Sequence, residues 1–183
     1  SAALSSAVSV MLMSAGVPIL VAVLIALSAA AGCGLLNGVL LAYTTIAPYY
    51  LTIGTMTLFF GMASVLRNKI PVVSFPEYFS LIGKGYLGIV PISVVLLLLI
   101  YVGIWVILNY TYHGRYLFAL GSNPAGLTFV GINIRKYKIT AYVLTALLSG
   151  IAGIILTSRN NYVDTSENFS YIVDTIFAIT LGG

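Results

Sequence analysis

The first charged side chain in this sequence is Arg67. Residues 1–66 contain none, and most of that stretch is apolar. A water-soluble domain must wet its outer faces, so it cannot leave so long a stretch without charge. At about 20 apolar residues per bilayer crossing, the stretch has room for roughly three helices. Composition agrees: 60% of the 183 residues are hydrophobic and 7% are charged, and mean hydropathy is +1.09. The fold class expected is all-α, a polytopic transmembrane bundle of about five to six helices or part-helices set by that crossing length. Its solvent is the lipid bilayer.

The net charge of +4 is small and dispersed along the chain, which argues against nucleic-acid binding. Cys33 is the one cysteine. It has no partner for an intrachain disulfide, and it reads as a small buried residue. No metal-ligating cluster is visible, and no cofactor is expected. The one histidine, His113, stands beside Arg115 without a nearby Ser, Cys or carboxylate in sequence, so no catalytic residue is expected. No Gly-rich phosphate loop ending in Lys-Ser or Lys-Thr occurs, so the chain would not hydrolyse ATP itself. It starts at Ser1 without a methionine and stops at Gly183 inside the apolar run 172–181. The expectation is one incomplete membrane domain, 1–183, cut from a larger subunit.

Breakers and apolar runs divide the chain. Residues 1–15 read as the remainder of a helix closed by Gly16 and Pro18, and residues 18–43 as a long helix with Pro18 in its first turn. Residues 44–50 form an uncharged connection, and 51–66 a third helix. Residues 67–90 hold two prolines and three glycines too many for a crossing, with room for a short turn at 77–82. Residues 91–109 are the clearest span. A polar loop is expected over 111–138, a helix over 139–158, a loop over 159–170, and the start of another helix from Tyr171.

Charge then predicts orientation. The segment 111–138 carries Arg115, Arg135, Lys136 and Lys138 without any acid. The loops one crossing away, on the opposite side, mix signs: Arg67, Lys69 and Lys84 with Glu77, and Arg159 with Asp164 and Glu167. Short basic loops stay in the cytoplasm, so 111–138 is expected inside and the other two outside.

In the second helix Ala26, Ala30, Gly34, Gly38 and Ala42 recur every four residues. A stripe of small residues lets another backbone approach closely, the usual way helices associate in lipid. A second stripe, Ala141, Thr145, Ser149 and Gly153, follows the basic segment. These read either as ordinary packing or as a contact that slides during transport. Polar residues at membrane depth are few: Asn37, the threonines 52, 55 and 57, and Asp174. Unpaired polar groups are costly in hydrocarbon, so these should face protein or a wet cavity. Asn37, Thr52, Thr55 and Asp174 are the candidate pathway residues. Threonines can also bond their own helix carbonyls, and Asp174 can cap a helix N-terminus.

The passage 121–132, Gly-Ser-Asn-Pro-Ala-Gly-Leu-Thr-Phe-Val-Gly-Ile, is the most specific. Asn123 suits an N-cap, Pro124 the first helical position and Gly131 the residue after the helix. The reading is a short capped helix inside a basic cytoplasmic segment. Leu127, Phe129 and Val130 would face either a groove in a partner protein or the inner membrane surface.

The run Tyr112-His113-Gly114-Arg115-Tyr116-Leu117-Phe118-Ala119-Leu120-Gly121-Ser122-Asn123-Pro124, then Gly131-Ile132-Asn133-Ile134, Lys138, Tyr142, Gly150 and Ala152-Gly153, resembles the permease subunits of sugar-type ABC importers. That class includes the ribose, xylose, galactose and autoinducer-2 permeases. Leu36-Asn37-Gly38-Val39-Leu40, Leu51-Thr52-Ile53-Gly54-Thr55-Met56-Thr57, Phe60-Gly61, Tyr171, Asp174 and Leu181-Gly182-Gly183 match the same family in order. The sequence departs from the pattern at 164–170, which is not Gly-rich, at Ile172, and at 44–50, which lacks a basic residue.

The resemblance implies the middle of a permease of the prokaryotic plasma (inner) membrane. Gly114, Arg115, Gly121, Asn123, Pro124, Leu127 and Gly131 would form the coupling segment that sits on a cytoplasmic ABC ATPase subunit. An external solute-binding protein would dock on the outer loops, and a second permease subunit, identical or not, would complete the pore. Branched-chain amino acid permeases share the loop pattern and are the alternative solute class. A channel or structural membrane protein is the alternative without ATP.

Overall fold

The computed structural model describes residues 1–67, 79, 83–87, 90–122, 124–129, 131–160 and 167–182. Most of the two expected outer loops, the turn at 77–82 and Asn123 lie outside the described residues. Eight helices are present among those described: α1 (Ala2–Ser14), α2 (Ile19–Tyr43), α3 (Pro48–Arg67), α4 (Ile92–Tyr110), α5 (Tyr112–Ser122), α6 (Pro124–Phe129), α7 (Ile134–Asn160) and α8 (Glu167–Gly182). A two-residue antiparallel ladder, β1 (Tyr86–Leu87) against β2 (Val90–Pro91), leads into α4. It pairs Tyr86 with Pro91 and Leu87 with Val90, and sequence periodicity over two residues could not reveal it.

Glycine closes α1 where the sequence predicted. Gly16 takes φ +81°. Its N–H donates to Met13 O at 3.0 Å, and that of Val17 reaches back to Leu12 O at 3.1 Å. These two bonds form a Schellman motif and satisfy carbonyls that would otherwise end the helix unpaired. Pro18 then caps α2 with extended backbone angles. Pro48, expected in the connection, instead opens α3. Its missing N–H costs nothing in the first turn, where that donor has no intrahelical acceptor.

The larger departure concerns residues 111–138, expected as a polar loop. They are helical for most of their described length: α5 and α6 occupy 112–122 and 124–129, and α7 begins at Ile134. Arg135, Lys136 and Lys138 therefore lie in the first turns of a 27-residue helix. Long basic side chains reach from a helix end toward the interface, so the apolar part need not start where the charges stop. Thr111 Oγ1 donates to Ile107 O and accepts from Gly114 N at 3.3 Å, turning the chain between α4 and α5. A β-carbon on Gly114 would collide with the Leu108 backbone, so the corner requires glycine.

α1, α2 and α7 form the packed centre, with α3 against α1. α2 and α7 run antiparallel: Gly38 meets Ile139, Gly34 meets Tyr142, Val143 and Ala146, and Ala30 meets Gly150. Ala26 and Ala30 are 0% exposed, and Gly34 and Gly38 are buried, while Ala42 at the end of the stripe is half-buried. The expected second stripe is displaced: the α7 face on α2 is Ile139, Val143, Ala146 and Gly150, whereas Gly153 abuts Ala2 and Ser149 faces the start of α1. α1 contributes buried serines: Ser5 Oγ donates to Ala2 O at 2.9 Å and Gly150 O at 3.2 Å, and Ser9 Oγ to Ser6 O at 2.8 Å. Their protons stay on backbone carbonyls, so a small polar side chain can pack at depth without an orphaned donor.

Outside this centre the helices turn large apolar side chains outward, as with Leu20 at 71% and Leu99 at 66% exposure. α2, α3, α4 and α7 are long and apolar enough to cross a membrane. The chain is a multi-pass membrane protein, and such outward apolar faces suit lipid or other apolar protein surface rather than water.

Candidate functional site

Four helices converge on a polar pair of cavities. On α3, Thr52, Thr55, Met56 and Phe59 follow the i, i+3, i+4, i+7 spacing of one helical face. On α7, Tyr142, Thr145, Ala146 and Ser149 repeat the same spacing. Asn37 enters from α2, and Ser1 precedes α1. The upper cavity, about 270 Å³, is bounded by Asn37, Thr52, Thr55, Met56, Phe59, Phe60, Ser149 and the 1–3 segment. A second, about 200 Å³, shares Ser1, Asn37, Thr52 and Ser149, and adds Cys33, Tyr142 and Thr145. A third, about 620 Å³, lies between the 44–48 connection, Leu120 of α5 and Lys138 of α7, and shares Tyr142 with the second. The three follow one another toward the end of the bundle that bears the basic residues.

Three of the four residues expected on a pathway meet here. Asn37, Thr52 and Thr55 line the upper cavity. The fourth, Asp174, does not: it stands about two turns into α8, exposed, outside the linings of these cavities. It therefore neither opens the helix nor caps it. The threonines also do what isolated helices allow them. Thr52 Oγ1 donates to Pro48 O at 2.8 Å, Thr55 Oγ1 to Leu51 O at 3.1 Å, and Thr57 Oγ1 to Gly54 O at 2.7 Å. Ser1 Oγ donates to Ser149 Oγ at 3.0 Å and ties α1 to α7 across the cavity wall. Asn37 differs: its Oδ1 is buried without a hydrogen-bond partner among the described residues. The sequence reading missed Tyr142, Ser149 and Phe59 as cavity walls. The shared i, i+3, i+4, i+7 spacing of α3 and α7 was the available signal.

The basic end carries the second candidate site. Arg135 lies over the Tyr43 ring, 4.9 Å from its centroid, so the end of α2 and the start of α7 share one side. Arg115 lies over Tyr112 at 4.7 Å, and Tyr137 packs on Tyr116, 5.2 Å between centroids, holding α5 on α7. α6 begins at Pro124. It ends in a Schellman motif: Gly131 has φ +75°, its N–H donates to Thr128 O at 3.0 Å, and Ile132 N–H donates to Leu127 O at 3.1 Å. One expectation for this helix changes. Leu127 is only 7% exposed, so it anchors α6 to the body instead of pointing outward, whereas Phe129 is 91% exposed. Gly121 and Arg115 are exposed on α5.

Comparison with known proteins agrees with this architecture. The ribose import permease protein RbsC of Bacillus subtilis (strain 168) is 34% identical over 99% of this chain and 57% of its own length. The Escherichia coli (strain K12) ribose import permease is 35% identical, over 99% and 58%. The galactose/methyl galactoside import permease protein MglC of the same strain is 29% identical, over 92% and 52%. The chain thus spans between half and three fifths of the length of these relatives. No solved structure matches it. The family described as branched-chain amino acid transport system / permease component matches residues 1–183 from end to end, and with four membrane-length helices around a small-residue core, the chain belongs to that family of membrane permease components.

Proposed function

We propose that this chain forms part of the membrane subunit of an ATP-binding-cassette importer for a sugar or sugar-like solute. The observation that carries the reading is the similarity to ribose import permeases over 99% of the chain. On this reading the subunit has no catalytic site of its own. A cytoplasmic ATPase supplies the energy, an external binding protein delivers the solute, and a second permease subunit completes the pore in the inner membrane of a prokaryote. The basic end, with Arg115, Arg135, Lys136 and Lys138, faces the cytoplasm under the positive-inside rule.

The coupling contact is α6. Pro124 starts it, Gly131 stops it, Leu127 roots it, and Phe129 is the exposed anchor that a groove in the ATPase would take up. Gly114, Arg115 and Gly121 belong to α5, which transmits displacement of α6 to α7 through Tyr116 and Tyr137; Asn123 joins the two helices in sequence. The solute route is the series of cavities from Asn37, Thr52 and Thr55 past Tyr142 to Lys138. The stripe Ala26, Ala30, Gly34, Gly38 and Ala42 is the close contact along which α2 and α7 hold or shift.

Reconstitution of the full-length subunit with its ATPase and binding protein tests this reading. Vesicles should accumulate ribose or galactose only with ATP and with all components present. Uptake of leucine instead would return the reading to the amino acid branch. Solute flux through the subunit alone would make it a channel.

A further inference from the structure

Building on the permease reading, we infer that the cavity at Asn37 is a transient binding subsite for a neutral, hydroxyl-rich solute and discriminates against amino acid zwitterions. The lining sets acceptors beside donors: Asn37 carries an amide N–H pair next to its Oδ1, and Ser149 Oγ accepts from Ser1 and keeps its own hydroxyl proton. Thr52 and Thr55 have given their hydroxyl protons to carbonyls of their own helix, so their oxygens keep acceptor capacity alone. Asn37 Oδ1 has no partner among the described residues, and a buried acceptor left unmet is a standing cost. What fits is a molecule rich in O–H groups, which both donate and accept. Met56 and Phe59, on the same face of α3 as the threonines, and Phe60 add apolar wall, and apolar walls with few placed polar groups are the usual make-up of small-ligand sites.

Charge narrows the class further. No Asp, Glu, Lys or Arg side chain lines either cavity that contains Asn37, among the described residues. An ammonium or carboxylate entering there would lose its water and meet no charged side chain among the described residues. A polyol loses hydrogen bonds to water and regains them from the lining. The site therefore separates a sugar from a branched-chain amino acid by chemistry, within a family whose description names the latter.

The test uses the full-length subunit assembled with its ATPase in vesicles, Cys33→Ala, and a reporter Met56→Cys on the cavity wall. The rate of modification by a hydrophilic thiol reagent is measured with ribose, with leucine, and with neither. Ribose should slow the reaction and leucine should not. Asn37→Leu should weaken the ribose protection about five- to tenfold, the worth of one neutral hydrogen bond, and Asn37→Gln should keep part of it. Recovery of the assembled complex shows that each variant folds. If the complex imports ribose yet ribose never protects Met56→Cys, the cavity holds only water: the subsite is wrong and the permease reading survives. Undiminished protection in Asn37→Leu also overturns the role of the amide. Protection by leucine together with leucine uptake overturns both.

Discussion

Gly150 and Gly34 sit on the same interface but differ in what surrounds them. A β-carbon at Gly150 would stand 2.7 Å from the Ala30 β-carbon, with its next neighbours at 3.6 Å. One at Gly34 would stand 2.6 Å from the Ala146 β-carbon and also 2.7 Å from Tyr142 O and 2.9 Å from Val143 Cα. The first clash is with a side chain that can be removed, the second also with backbone that cannot. Overpacking of this kind costs about 1–3 kcal/mol. Gly150→Ala should therefore lower the Tm of the purified subunit, and adding Ala30→Gly should restore most of it. Gly34→Ala should do the same damage, and Ala146→Gly should recover only a small part. Both pairs are double-mutant cycles read by thermal unfolding in detergent. The stripe on α2 was legible because a four-residue repeat of small side chains has one meaning in lipid. Its partner face on α7 was not, because Ile139 and Val143 contribute backbone, and their side chains look like any other apolar residues.

At the scale of elements, α6 shows how far local chemistry reaches. Pro124 and Gly131 marked its two ends in the sequence, and the helix occupies the interval between them. Which of its apolar residues faces outward was not legible, since one short helix has no period long enough to define a face; only packing on the body distinguishes Leu127 from Phe129. The extent of α5 and α7 was missed for a related reason. Four basic residues without an acid read as a loop, yet Arg135 and Arg115 lie across tyrosine rings at the helix ends, and such cation–π contacts let charge remain on a helix near the interface. Gly131→Val forces a β-branched residue to φ +75°, at a cost of about 1–2 kcal/mol. It should leave subunit yield near normal while reducing ATP-driven uptake more than ATP hydrolysis. Leu127→Ala should have the same signature because it loosens the root of α6. Parallel assays of uptake and ATPase activity on reconstituted complexes check both.

For the whole molecule, the absence of charge before Arg67 and the balance of later charges were enough to give an all-α membrane bundle with a basic end. Convergence of polar groups was harder to see. Asn37, Thr52 and Thr55 meet in one cavity, whereas Asp174, equally conspicuous in sequence, stands exposed on α8. A polar residue at depth signals that something must satisfy it, not which neighbours it meets. On the proposed reading, force enters the subunit at its basic end. The most direct measurement of this is a cysteine crosslink from Phe129→Cys, in a Cys33→Ala background of the full-length subunit, to the co-expressed ATPase. Capture of the ATPase that changes with ATP, and no such capture from Leu127→Cys, is the result predicted. A Phe129→Cys that never captures the ATPase and is shielded by lipid from aqueous thiol reagents would contradict the account and place α6 on the membrane surface.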